Sequence, residues 1–246
     1  MSIYAQTLKT YSGSFKGGSA VYSYYVSNND ERVYNGPFSF KGDKVLNIKN
    51  DVEGIFSING SFKNDLRDGE WIFTCVSETK DGQIRKKELK INYKNGQRNG
   101  VCEYKDVIDS RTIEHIVFSC VNDYIVGQIK YTNSKEEING QIQNGNPVGT
   151  WVKQTERIEY SVYDGNGIFA KSNYYVDEET GKKKDIIYSE GEAYMSFLSE
   201  TAFYFALRYE TWKSAISEHM VIGEHGLKSP YIKNKGPHEH LFNMYK

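Results

Sequence analysis

Short runs of alternating apolar and polar residues recur along the chain. In "EWIFT" (Glu70–Thr74), Trp71 and Phe73 point one way while Ile72 and Thr74 point the other. That is the period-2 arrangement of a β-strand with one buried face. "VCEYK" (Val101–Lys105), "QIKYT" (Gln128–Thr132) and "TWVKQ" (Thr150–Gln154) are runs of the same kind, and each follows a glycine: Gly69, Gly100, Gly127 and Gly149. Five residues before each glycine stands an asparagine, at Asn64, Asn95, Asn122 and Asn144, followed by Gly or Asp. Such a pair favours a tight hairpin turn, because both central residues of a type I′ turn need positive φ. The spacing predicts β-hairpins at Asn95-Gly96 and Asn144-Gly145, and either positive φ or a close strand approach at the second glycine.

Two longer stretches repeat almost in full. "INGSFKNDLRDGEW" (Ile58–Trp71) and "INGQIQNGNPVGTW" (Ile138–Trp151) share Ile, Asn, Gly, Asn, Gly and Trp at equal offsets. Gly60 therefore has the same place in its stretch that Gly140 has in the other, and Trp71 and Trp151 are predicted to be equivalent positions on one face. With looser copies upstream, such as "GSFK" at Gly13–Lys16 and Gly60–Lys63, the chain reads as about seven or eight irregular units over the first ~185 residues. Seven Asn-Gly dipeptides and three Asp-Gly dipeptides read as turns. The fold expectation is an all-β, elongated, single-layer antiparallel sheet of stacked β-hairpins over residues 1–188.

The pattern changes after Ser189. Tyr194, Phe197, Leu198, Ala202, Phe205, Trp212 and Ile216 keep near-helical spacing, and Ser189 with Glu192 has the spacing of a capping box. Residues 189–246 are predicted to form a helical cap and an irregular tail, covering the apolar face of a repeat sheet.

Composition narrows the class. Lys plus Arg is 31 and Asp plus Glu is 32, so no global field favours nucleic acid or an anionic membrane. The basic runs Arg85–Lys87 and Lys182–Lys184 are diluted by acids and read as hairpin tips rather than lipid contacts. Three cysteines, Cys75, Cys102 and Cys120, are too few for a disulfide scaffold and read as buried thiols. The start "MSIYAQTLKTYSG" lacks a basic head and an apolar core, and no window supplies eighteen apolar residues. A cytoplasmic protein without a transmembrane segment is the expectation.

"GSFKNDLRDGEW", "INYKNGQRNGVCEY" and "GQIQNGNPVGTW" resemble MORN repeats, above all the bacterial variant of proteins similar to the YwqK antitoxin family. The likeness covers roughly residues 11–171. Asp65 and Asp123 depart from it, standing where the pattern has glycine. The resemblance implies a sheet of stacked hairpins and no particular reaction.

Candidate chemistry is sparse. His219, His225, His238 and His240 lie late, and their spacing is not that of a zinc site. Glu178-Glu179 reads as a solvated turn, and no P-loop, GxSxG or HExxH pattern occurs. The sequence therefore points to a non-enzymatic module without metal or cofactor that binds another protein through exposed aromatics, with Trp71, Tyr93, Tyr104, Tyr131 and Trp151 as contact candidates. An antitoxin- or immunity-type inhibitor is the alternative, and a hydrolase with a site among the late histidines the second.

Overall fold

A computed structural model of the protein describes residues 7–15, 18–48, 52–143, 146–165 and 170–186, excluding the side chains of 43–48, 52–53 and 146. They form one open antiparallel sheet of fourteen strands that follow one another in chain order. The strands are β1 (Lys9–Phe15), β2 (Gly18–Val26), β3 (Arg32–Ile48), β4 (Val52–Lys63), β5 (Leu66–Glu78), β6 (Ile84–Lys94), β7 (Gln97–Ile108), β8 (Arg111–Val121), β9 (Tyr124–Asn133), β10 (Glu137–Gln143), β11 (Asn146–Gln154), β12 (Ile158–Asp164), β13 (Ser172–Val176) and β14 (Lys183–Asp185). None of the described residues is helical, and none lies in a helix long and apolar enough to cross a membrane. The predicted helical cap lies outside the described residues, as do the late histidines.

Four turns have positive φ at both central residues: Asn64-Asp65, Asn95-Gly96, Asp109-Ser110 and Asn122-Asp123. They join strands that pair directly, with Lys94 opposite Gln97 across Asn95-Gly96. This is the type I′ signature, and its twist matches that of the flanking strands. Asn144-Gly145 lies outside the described residues, between Gln143 and its partner Asn146. Four other Asn-Gly pairs are not turns. Those at Asn35, Asn59, Asn99 and Asn139 sit inside β3, β4, β7 and β10, so the reading of every such dipeptide as a turn is corrected.

The five-residue spacing is that of a turn followed by a β-bulge. Register shifts occur opposite Gly36, Gly69, Gly100, Gly127 and Gly149, and all five glycines have positive φ. A bulge places extra residues on one strand and restores the alternation beyond it. Every second strand, from β3 to β11, carries one. The residue two positions past the glycine then returns to the buried face: Phe38, Trp71, Cys102, Ile129 and Trp151.

Aspartates at the turns tie neighbouring units together. Asp65 N–H donates to the Tyr34 carbonyl at 2.9 Å, and its carboxylate accepts from the Tyr34 N–H at 2.7 Å. Asp123 repeats this with the Arg98 carbonyl at 3.0 Å and the Arg98 N–H at 2.9 Å. Asp65 and Asp123 are the departures from the glycine pattern, and the acceptor that each supplies is one a glycine lacks. Asp109 does the same work at the opposite margin, accepting from the Ile84 N–H at 3.0 Å.

One face of the sheet forms the core. A single row crosses it from β3 to β10: Phe40, Ile58, Phe73, Leu89, Tyr104, Ile116, Tyr131 and Ile138, each opposite the next. All eight are buried. The other face is an exposed or half-buried lattice of charges, including Lys86–Glu88 (2.6 Å) and Lys105–Glu103 (2.7 Å).

Candidate interaction surface

The five predicted contact aromatics all lie on the buried face. Trp71, Tyr104 and Trp151 have no exposed surface, and Tyr131 and Tyr93 retain 2% and 6%. None presents a ring to solvent, so their placement on an accessible contact surface is corrected: they are core residues. Trp71 and Trp151 are equivalent, as their offsets require. Each stands on the inner face, and each ring lies against a glycine of the preceding strand, Gly60 or Gly140. A Cβ at either glycine would overlap the indole. The shared offset in the two long repeats is thus the distance from a glycine socket to the tryptophan that fills it. One difference separates them. Trp71 Nε1 donates to the Ser61 carbonyl at 3.0 Å, whereas Trp151 Nε1 has no partner among the described residues.

Cys75, Cys102 and Cys120 are buried free thiols. Burial pushes Cys75 up to about 11, which keeps it protonated and unreactive. A hydrogen bond from Cys120 lowers Cys102 and raises Cys120 in return. Arg85 and Lys87, read from sequence as a hairpin tip, are inner-face residues of β6, and the tip itself is Thr79–Gln83. Glu178-Glu179 does lie in a turn, closed by Asp177 and Lys182.

A polar groove opens on the inner face. Asp106 and Glu114 are buried carboxylates opposite one another on β7 and β8. They line a groove of about 1330 Å³ with Arg85, Asn133, Glu136 and Arg157. Its charges are largely matched within the chain. Arg85 holds Asp106 by two bonds of 2.9 and 2.5 Å, Lys153 pairs with Glu136 at 3.2 Å, and Arg157 with Glu159 at 2.6 Å. A carboxylate gripped by both arms of an arginine fork suits a structural pair better than proton transfer.

Accessible aromatics occur at the two ends of the sheet instead. At the far end Tyr160 stacks on Tyr174 with centroids 5.0 Å apart, Lys183 Nζ lies 4.3 Å from the Tyr174 centroid, and Arg157 sits over Tyr175 at 4.7 Å. Neighbouring acids engage two cations of this cluster: Arg157 is bound to Glu159 and Lys184 to Asp177.

The near end differs. Tyr11, Phe15, Tyr24 and Tyr34 are half-buried, and they extend the buried aromatic core of β2–β5 to the edge of the sheet. Tyr11 stacks on Tyr22 at 4.8 Å, and Tyr34 packs against Tyr22 at 4.8 Å and Phe62 at 5.2 Å. Burial, with the neighbouring Tyr22 hydroxyl, pushes the Tyr34 phenol up to about 12, so it stays neutral. Above these rings lies the exposed Arg32. Its guanidinium is 4.9 Å from the Tyr24 centroid and 5.7 Å from that of Tyr11, and its Nη1 donates to the Tyr22 hydroxyl at 3.0 Å. The sequence reading missed this cluster. A signal was present: Tyr22 and Tyr24 alternate just before a polar "SNND" break, and Arg32 and Tyr34 alternate just after it.

No family model matches the chain, and no curated protein matches it.

Proposed function

We propose that the chain is a non-enzymatic protein-interaction or scaffold module of the MORN-like kind that its repeats resemble. It engages its partner through the accessible aromatic end of the inner face, at Tyr11, Tyr24 and Tyr34. Residues 189–246 cap the remainder of that face. The observation that carries the reading is the change in exposure along one continuous aromatic surface: closed to solvent at Trp71, half-open at Tyr11, Tyr24 and Tyr34. Half-exposed tyrosines on a rigid sheet offer much contact area with few rotors to immobilise. Support for the cap comes from the burial of the inner face, since the described residues provide one layer and a buried apolar face needs a second.

The test is affinity capture from the native host with the full chain, beside a Tyr11→Ala/Tyr24→Ala/Tyr34→Ala variant. A partner retained by the first and lost by the second supports the reading. Undiminished binding by the variant, or turnover of a small substrate by the pure protein, contradicts it. An antitoxin role is the same docking with a toxin as the partner, and a toxin gene adjacent to this one would select it.

A further inference from the structure

The arginines of the described sheet are treated unequally. Arg85, Arg98 and Arg157 each hold a carboxylate, Asp106, Asp123 and Glu159 respectively. Arg67 is buried under the rings of Trp71, Phe73 and Tyr93 and bonded to the Tyr93 hydroxyl. Arg32 alone of these is exposed and oriented by aromatic rings without a carboxylate partner among the described residues. A guanidinium stacked on tyrosines and bonded at Nη1 has already lost much of its side-chain freedom, so its remaining N–H donors are aimed before a ligand arrives. Lys9 is exposed and opposite Tyr24, one of the rings under Arg32, in the β1–β2 register, and it too has no ion pair among the described residues. The carboxylate of Asp65, bonded to the Tyr34 N–H, is engaged by the backbone.

We propose that Arg32, oriented by Tyr11, Tyr22 and Tyr24 and flanked by Lys9, is the recognition point for a carboxylate-bearing acidic segment of a partner protein. This rests on the module reading above and supplies the chemistry of its partner. The tyrosine rings offer apolar contact, and the guanidinium fork offers paired donors whose geometry matches a carboxylate. The contrast with the far end of the sheet carries the choice, because there Glu159 and Asp177 already occupy Arg157 and Lys184, and Lys183, over the Tyr174 ring, is an ammonium without the paired donors of a guanidinium.

The experiment uses the full chain and a fluorescein-labelled eight-residue peptide alternating Glu and Phe, with an analogue carrying Gln for every Glu. Binding is read by fluorescence anisotropy at two salt concentrations. Hydrogen bonds to a charged group predict at least about tenfold tighter binding of the acidic peptide, with the preference shrinking at high salt. Arg32→Gln should remove most of that preference, Lys9→Gln part of it, and Arg111→Gln, at the exposed start of β8, none. Equal affinity for both peptides, binding of neither, or a preference that survives Arg32→Gln overturns the proposal. So does Arg32-dependent binding of phosphatidylserine vesicles in place of the peptide. These outcomes leave the module reading standing, since that fails if a captured partner ignores the Tyr11, Tyr24 and Tyr34 substitutions or if the pure protein turns over a small substrate.

Discussion

The units built on Trp71 and Cys102 share one backbone plan and fill it in opposite ways. In each, a type I′ turn leads to a glycine bulge, and the second residue beyond the glycine returns to the inner face. On the preceding strand Trp71 meets Gly60, whereas Cys102 meets Ile91. The pairing varies in the other units, and at the aromatic end Phe38 meets the equally large Tyr22. Trp151 meets Gly140, and the medium-sized Ile129 lies at the register shift opposite Phe118. The repeat thus fixes the backbone and leaves the volume of each cross-strand pair to be divided freely. Interiors are packed to near-crystalline density, so the indoles of Trp71 and Trp151, which lie against the preceding strand, require a glycine there.

Five substitutions probe that comparison. Trp71→Ala should have the largest effect, a loss of about 3–5 kcal/mol in urea unfolding, because it empties a socket whose floor is a glycine. Cys102→Ala, at the equivalent place, should cost far less, since Ile91 still fills the site. Equal losses would mean that the two units are not packed by a common rule.

Gly60→Ala comes next, at about 1–3 kcal/mol, through overlap of the new methyl with the indole. Asp123→Ala should follow, also in the range of about 1–3 kcal/mol, by leaving the Arg98 N–H without its acceptor and the Arg98 guanidinium without its ion pair. Amide exchange at Arg98 should then rise more than at Ile91. Protection that stays unchanged would deny the stitching role of the turn aspartates.

Gly69→Ala should be the mildest, at about 1 kcal/mol. Nothing lies within 4 Å of a Cβ at Gly69, so only its φ of 76° resists the side chain. The two glycines therefore serve different ends, space at Gly60 and conformation at Gly69. Melting temperatures of the two variants compare them directly, and a larger shift for Gly69→Ala would reverse the assignment.

Much of this architecture was legible in the sequence, and the reasons are local. Alternation in "EWIFT" gave the face of Trp71 and Phe73, and the Asn-to-Gly spacing singled out Gly69, Gly100, Gly127 and Gly149, all of positive φ. The equivalence of Trp71 and Trp151 followed from shared offsets. Asn59-Gly60 and Asn139-Gly140 misled because the dipeptide that makes a turn also makes a socket, and only the register distinguishes the two. The contact candidates misled for a different reason. Period-2 alternation tells which side chains share a face but not whether that face meets solvent, so Tyr104 and Tyr131 looked as available as Tyr24. Exposure depends on position within the sheet: Tyr11 is on the edge strand β1, and Tyr24 and Tyr34 lie beside the turn that joins β2 to β3, whereas Tyr22, two residues further from that turn, is buried. Arg32 was invisible for the same reason, since its value as a site comes from what its neighbours do not pair with.

The most direct test of the repeat as a building unit is a double-mutant cycle between Gly60 and Trp71, read by urea denaturation. Gly60→Ala is made in the natural chain and again with Trp71→Leu, which keeps an apolar side chain but removes the ring. Gly60 does not have positive φ, so an alanine fits its backbone. The account predicts a change of sign: a loss of about 1–3 kcal/mol beside the tryptophan, and a neutral effect or a gain of about 0.4–1 kcal/mol beside the leucine, where only unfolded-chain entropy is affected. The same loss in both backgrounds would contradict it, because Gly60 would then serve some purpose other than seating Trp71.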